Sequence, residues 1–293
     1  MMEKFGIRVW DDVVLTAGEP HWRVATAHDA RADHNKIDTL LRSLSGLRGE
    51  FRSENADVLA DYGFTDTTTV TVRGFDAAGN EVLAIDVGDK PGGGRGNFVR
   101  RPGGDAVYLT TASLLGNLGL WSGPGEPQDR HFIDLLAFQA ERDSVAAMVI
   151  AGDETLELAK EFVMIEPAPD DTVHTEPYPD PENWEWRLAD GTLAKKTTGD
   201  TMLGSATRIR AQDVADPSVD LAGYGLDPAR RTVTLEYRDG DEATVLRFGD
   251  ERPAEGSTPG GHYAMFGDDP TVWVVGTYTV ENIFKSRDEV LPD

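Results

Sequence analysis

The chain contains no cysteine, which excludes disulfides, thiolate metal sites and a cysteine nucleophile and leaves the compartment open. It has no apolar run approaching the roughly 18 residues of a membrane-spanning helix. Its first residues, Met1-Met2-Glu3-Lys4-Phe5-Gly6, lack the apolar centre of a signal peptide. As given, the sequence reads as a soluble chain, and removal of a leader or anchor would leave the same reading. Basic residues are scarce. Lys and Arg number 28 against 52 Asp and Glu, a net charge of −24 at pH 7. Such a balance repels nucleic acid and anionic lipid and excludes both as partners, while acid spread over solvated surface suits a halophilic or alkaliphilic host. No Gly-x-Ser-x-Gly elbow, two-histidine zinc helix or P-loop is present, and Ser113, Ser122 and Ser205 have no local catalytic partner. Regular strand-helix-strand alternation is missing too, and with it the usual nucleotide-binding platform.

What the chain does have is a repeat. Trp22-Arg23-Val24 returns as Trp186-Arg187-Leu188, and Leu59 to Phe64 returns as Leu221 to Leu226. Val87-Gly88-Asp89 returns as Phe248-Gly249-Asp250, Asn97-Phe98-Val99 as His262-Tyr263-Ala264, and Val107-Tyr108-Leu109 as Val272-Trp273-Val274. The offsets are 164, 162, 161, 165 and 165 residues. Landmarks in one order at a nearly constant offset indicate an internal duplication. At 293 residues the chain accommodates two modules, each able to bury a core.

Within module 1 the pattern predicts a strand over Ile7 to Leu15, another over Trp22 to Ala25, and then a helix. Ile37, Leu40, Leu41, Leu44 and Leu47 share one helical face, with Asp33 as N-cap and Gly49 beyond the end. A hairpin follows, Val70 to Val72 and Val82 to Val87 around an Asp76 to Asn80 turn, then strands at Phe98 to Arg100 and Val107 to Thr110. Module 2 repeats the plan with Val145 to Ile150, Leu156 to Ile165, Trp186 to Leu188, a weaker helix at Lys195 to Ala206, a hairpin over Val233 to Phe248, and strands at Tyr263 to Phe266 and Val272 to Val275. The expected fold is α+β: two tandem related modules, each an antiparallel meander packed against one helix. The expected division is 1–126 and 127–293. Arg130 to Leu136 is expected as a linking helix and 166–183 as an inserted Pro- and Asp-rich loop.

The most suggestive local chemistry is Lys90-Pro91-Gly92-Gly93-Gly94-Arg95-Gly96-Asn97, whose glycines expose backbone N–H groups while Lys90, Arg95, Arg100 and Arg101 supply charge for an anion. It lies between two predicted strands, and its counterpart Glu251 to Gly261 is acidic, so it reads first as a hairpin tip. His28-Asp29 with Asp33-His34 carries metal-ligating groups, yet Asp33 already serves as helix cap. Asp170-Asp171 and Asp239 with Asp241 offer carboxylates to calcium without the spaced loop such sites use. The repeated aromatics Trp22 and Trp186, Tyr62 and Tyr224, Phe98 and Tyr263, Tyr108 and Trp273 read as core rather than as a stacking platform. No catalytic residue, cofactor or metal site is assigned.

These landmarks resemble a bacterial family, the domain of unknown function 4340. The resemblance is carried by Trp22, the capped helix ending in Leu44-Ser45-Gly46-Leu47, Tyr62-Gly63, Val87-Gly88-Asp89, Phe98-Val99, Val107-Tyr108-Leu109, Arg130 to Asp134 and Tyr224-Gly225-Leu226-Asp227-Pro228. It implies an N-terminal transmembrane anchor, absent here and expected to have been removed, and an extracytoplasmic location at the inner membrane. It further implies association with ABC-type transporter subunits of the kind found in gliding-motility-like systems, and it supplies no catalytic residues. The expected function is therefore a non-catalytic binding or scaffolding module, auxiliary to an ABC-type transporter or envelope complex and touching the membrane only through that anchor. The alternatives are a hydrolase or carbohydrate-binding protein with a site between the modules, and a protein stabilised by a metal ion.

Overall fold

The computed structural model describes residues 4–8, 13–18, 21–168, 173, 176–238, 240–256 and 258–292. The chain forms two compact units, Met1–Asp134 and Leu135–Asp293.

Unit 1 holds β1 (Lys4–Arg8), β2 (Val13–Thr16), β3 (Arg23–Val24), β4 (Ala30–Arg31), α1 (His34–Ser45), β5 (Gly49–Ser53), β6 (Val70–Phe75), β7 (Glu81–Val87), β8 (Asn97–Arg100), β9 (Val107–Thr110) and the short α2 (Leu114–Asn117). Its strands form one antiparallel sheet in the order β4-β3-β2-β1-β6-β7-β8-β9-β5. Unit 2 holds β10 (Leu136–Gln139), β11 (Val145–Ala151), β12 (Thr155–Ile165), β13 (Tyr178–Leu188), α3 (Lys196–Thr207), β14 (Arg208–Val214), β15 (Arg231–Tyr237), β16 (Thr244–Arg252), β17 (Gly261–Phe266), β18 (Trp273–Val275), α4 (Thr277–Ile283) and α5 (Arg287–Val290). Its sheet runs β13-β12-β11-β15-β16-β17-β18-β14-β10. From β3 through β5 every strand of unit 1 has its counterpart, in the same spatial order, from β13 through β14. Unit 1 adds β4 at one end and unit 2 adds β10 at the other.

The helix of the first module forms as its pattern dictates. Asp33 accepts from the N–H groups of Asn35 and Lys36 at 3.0 and 3.3 Å, and Ile37, Leu40 and Leu44 are buried. The chain leaves the helix at Gly46, earlier than a face running to Leu47 requires. The single strand expected over Ile7 to Leu15 is two antiparallel strands, β1 and β2. In unit 2, α3 lacks a side-chain cap, matching its weaker pattern.

Two expected boundaries move. Residues 130–136 do not form a linking helix: Asp129–His131 is a single 3-10 turn, and Leu136 opens β10. Phe132 and Ile133 are instead fully buried in unit 1, where Asp33 N–H donates to Phe132 O and Asp134 N–H to Arg31 O. Arg31 and Asp134 add an ion pair at 2.7 Å. This strap closes the first module, so the division lies after Asp134 instead of at 126. Unit 2 closes the same way, with Lys195 N–H donating to the carbonyl of fully buried Val290. The loop expected at 166–183 ends sooner, because Tyr178 begins β13. That strand, which carries Pro179, is the edge strand of its sheet, the position in a sheet that tolerates proline.

The repeated landmarks mark one junction. Gly63 and Gly225 follow the repeated tyrosines with φ of 81° and 67°, left-handed conformations that favour glycine. Each lies directly against the Gly-Asp pair ending the central hairpin: a Cβ on Gly88 would stand 2.2 Å from Tyr62 O, and one on Gly249 2.0 Å from Tyr224 O. Beside the junction Tyr62 packs edge-on against Phe98 at 4.7 Å between ring centres, and Tyr224 packs tilted by 42° against Tyr263 at 4.3 Å. Gly88→Ala and Gly249→Ala are each expected to destabilise by roughly 1–3 kcal/mol or more by forcing two backbones apart. Gly92→Ala, with open space around it, is expected to stay within about 0.5 kcal/mol. Urea melts of the three variants test this.

Candidate functional site

Unit 1 has a groove of about 730 Å³ on the sheet near β5. Leu83, Ile85, Val99 and Tyr108 supply apolar lining, with Arg101 and Asp105 also at its wall. Tyr108, at its wall, is 39% exposed, and Phe51 beside it is 55% exposed, their rings edge-on at 5.9 Å. Strand β5 carries this surface: Gly49 to Arg52 are all exposed and Ser53 is half-buried.

The four basic residues singled out in the sequence meet different fates. Arg100 is committed to the structure. Its Nε lies 3.1 Å from Asp86, an acid 4% exposed that also accepts from Thr71 Oγ1 at 2.8 Å. Its guanidinium stacks over Phe64, 4.8 Å from the ring centre. Lys90 Nζ donates to Trp121 O at 2.6 Å, tying the glycine-rich turn to a neighbouring loop. Arg95 is exposed on that turn, and Arg101 is exposed at the groove wall. Of the four, Arg100 and Arg101 line the groove. The glycine of this turn that is structurally required is Gly96, where a Cβ would stand 1.7 Å from Thr110 O. Gly261 repeats the constraint against Val275 O at 2.3 Å. Asn97, next in line, is fully buried; its Oδ1 accepts from Leu115 N–H and its Nδ2 donates to Gly88 O.

The other sequence candidates fall as follows. Asp33 caps α1, His34 pairs with Asp38 at 3.2 Å, and His28 and Asp29 occupy left-handed turn positions with φ of 54° and 58°. Among the described residues, no three His, Asp or Glu side chains gather as a metal-ligand set. Asp170, Asp171 and Asp239 lie outside the described residues. Ser113 precedes α2, and Ser122 is exposed.

Unit 2 holds a constellation that the sequence reading did not single out. Lys160, 8% exposed, donates to Arg142 O at 3.2 Å and lies 4.7 Å from the ring centre of Trp184 and 5.7 Å from that of Trp186. Lys196 stands 3.7 Å from the Trp184 ring centre, and Arg238 covers Phe162 at 5.0 Å. Asp200 receives the Trp186 indole N–H at 2.9 Å and pairs with Lys196 at 3.4 Å. Burial pushes the Lys160 ammonium down to about 8; Arg238 and Arg142 act in the same direction, and Asp143 opposes them. The signal available was the alternation of Leu156, Leu158 and Lys160 on one face of a strand. Periodicity places Lys160 inward, and only the fold brings the tryptophans to it.

The architecture defines an antiparallel α+β protein built by tandem repetition. The sequence profile described as domain of unknown function DUF4340 matches residues 22–171 and again 186–291, and the chain belongs to that family. No curated protein matches it, and no solved structure does.

Two outcomes follow. Arg100→Ala is expected to cost about 3 kcal/mol, because it strands a buried carboxylate, whereas Arg101→Ala is expected to change stability by less than about 0.5 kcal/mol; urea denaturation separates them. For Lys160, the unfolded chain binds the extra proton between about 8 and an exposed lysine's usual 10.5. Stability should therefore rise with pH across that window. Lys160→Met should lack that rise, which denaturation midpoints measured on both proteins from pH 7 to pH 10.5 will show.

Proposed function

We propose that the chain is a non-catalytic binding or scaffolding module displayed at the extracytoplasmic face of the inner membrane. There it assists an ABC-type transporter or envelope complex, reached through protein contacts and an anchor outside this sequence. In this reading each meander is backed by one long helix, α1 or α3, and offers its remaining surface to a partner. The observation that carries the proposal is the apolar groove with Tyr108 exposed at its wall and Phe51 exposed against that ring. Aromatic surface of this kind, unusual on a soluble monomer, marks contact surfaces.

The repeat adds support. Its shared residues, Tyr62 and Tyr224, Gly63 and Gly225, Gly88 and Gly249, all serve backbone approach and ring packing. Apart from Arg23 with Arg187 and Asp89 with Asp250, the polar residues of the landmarks differ between copies, and beyond them Arg100 bonded to Asp86 stands where unit 2 has Met265 beside Arg247. A duplicated scaffold whose surfaces have diverged suits binding more readily than a reaction requiring a fixed set of groups. The transporter setting comes from the family resemblance. Among the described residues no helix is long and apolar enough to cross a membrane.

The test is affinity capture of the tagged native protein from gently solubilised membranes, followed by mass spectrometry. Stoichiometric recovery of ABC-transporter subunits is expected. Recovery of the protein alone, from the soluble fraction, would sink the proposal.

A further inference from the structure

The two copies allow each surface of unit 1 to be compared with its counterpart in unit 2. The registers fix the alignment. Gly49 faces Thr110 as Ala211 faces Val275, and Phe51 faces Tyr108 as Val214 faces Trp273. Ile85 in β7 and Arg101 after β8 correspond to Leu246 and Phe266, which face each other across β16 and β17. In unit 2 this region is closed. Strand β10 pairs antiparallel with β14, placing Phe138 opposite Ile209 and Leu136 opposite Arg210. Ala211 N–H reaches outward to Leu135 O at 2.8 Å, and Ala140 N–H donates to Thr207 O at 2.8 Å. The ring of Phe138 lies 5.8 Å from that of Phe266. Ile209, Ala211, Leu246, Val214, Phe266 and Trp273 are all buried.

In unit 1 the corresponding segment leads into β5 at Gly49, and among the described residues no strand pairs with β5 on its outer side. The counterparts of the buried residues are exposed or line the open groove: Leu47, Gly49, Ile85, Arg101 and Tyr108 at the groove, and Phe51 next to it. Where Phe138 fills the space over Phe266, unit 1 has Arg101 and an unfilled apolar floor. An open edge with a ready row of backbone donors and acceptors is a template for strand addition, with side-chain pockets setting specificity.

We propose that the groove and the β5 edge together receive an extended segment of a partner protein, added antiparallel along Leu47 to Phe51 and overlapping, at Leu47 to Gly49, the place that β10 takes along Ile209 to Ala211. Its side chains are apolar at alternate positions, and one aromatic ring enters the groove, stacking on Arg101 in place of the Phe138 and Phe266 contact. Arg101 makes this ring contact a cation–π pair, so an aromatic is favoured over an aliphatic residue there. This inference rests on the scaffolding reading and names the class of partner for it.

The test uses the full-length protein and a displayed library of random short peptides. Enrichment is expected for peptides with alternating apolar residues and one central aromatic. Adding such a peptide should slow amide hydrogen exchange at Leu47 to Ser53 and at no other edge, and Phe51→Lys should weaken its binding by about tenfold or more, as loss of an aromatic anchor does. Phe51 is exposed, so that variant should fold, and unchanged exchange elsewhere verifies it. Lack of enrichment, protection at other residues, or undiminished affinity in Phe51→Lys would overturn the proposal. So would concentration-dependent self-association that Phe51→Lys abolishes, because a second copy would then own the edge. Membrane capture with Phe51→Lys separates the two levels: transporter subunits recovered undiminished would overturn the strand site alone. Peptide binding at β5 with no subunits recovered by the native protein would overturn the transporter reading alone.

Discussion

The close passage of two backbones at the Tyr-Gly turn governs both modules. Tyr62 O and Gly88, like Tyr224 O and Gly249, are so near that no side chain fits between them, and Asp89 N–H donates to Tyr62 O at 2.9 Å across the gap. The turn entering the central hairpin is thereby held against the residue leaving it. With that distance set, Phe98 and Tyr263 reach the repeated tyrosines, and β8 and β17 fall in register beside the hairpins. The next constraint follows in the same strands, where Gly96 and Gly261 bring the chain against the carbonyls of Thr110 and Val275. The landmarks that survive in both copies are those whose replacement separates backbones, which is why they stand out while the polar surfaces have drifted.

Much of this architecture was legible in the sequence, for identifiable reasons. Alternation of β-branched residues located the hairpins, and a capped 3.6-residue pattern located α1, because both signals are local. Two of the missed elements, β5 and β10, lack such signals. Strand β5, Gly-Glu-Phe-Arg-Ser, is exposed along most of its length and so carries no inward-facing apolar alternation. Strand β10 was hidden in Leu135-Leu136-Ala137-Phe138, an apolar run too short for periodicity to separate strand from helix. The Phe132 strap was read as part of that same helix because its partner, the segment before α1, lies about a hundred residues away.

The site was less legible than the fold. Spacing placed Lys90, Arg95, Arg100 and Arg101 in one neighbourhood, but sequence does not reveal that Arg100 is neutralised by a buried acid, nor that Arg101 stands at an apolar groove. The acid, Asp86, lies one hairpin earlier. Lys160 and its tryptophans were missed for the same reason, since Trp184 comes from the strand beyond the proline-bearing loop. The glycine-rich turn shows the opposite error of emphasis: Gly96, which resembled part of an anion loop, is needed so that β8 can lie against β9.

The buried straps have a consequence for the order of events during synthesis. Module 1 completes its core only when Phe132 and Ile133 dock beside the start of α1, so it stays open until the chain through Asp134 has left the ribosome. Module 2 waits longer in proportion, because α3 is secured through the carbonyl of Val290. Each unit therefore makes its own strands before these contacts can form. Synthesis from the N-terminus onward thus delivers the closing contact of each module after its strands.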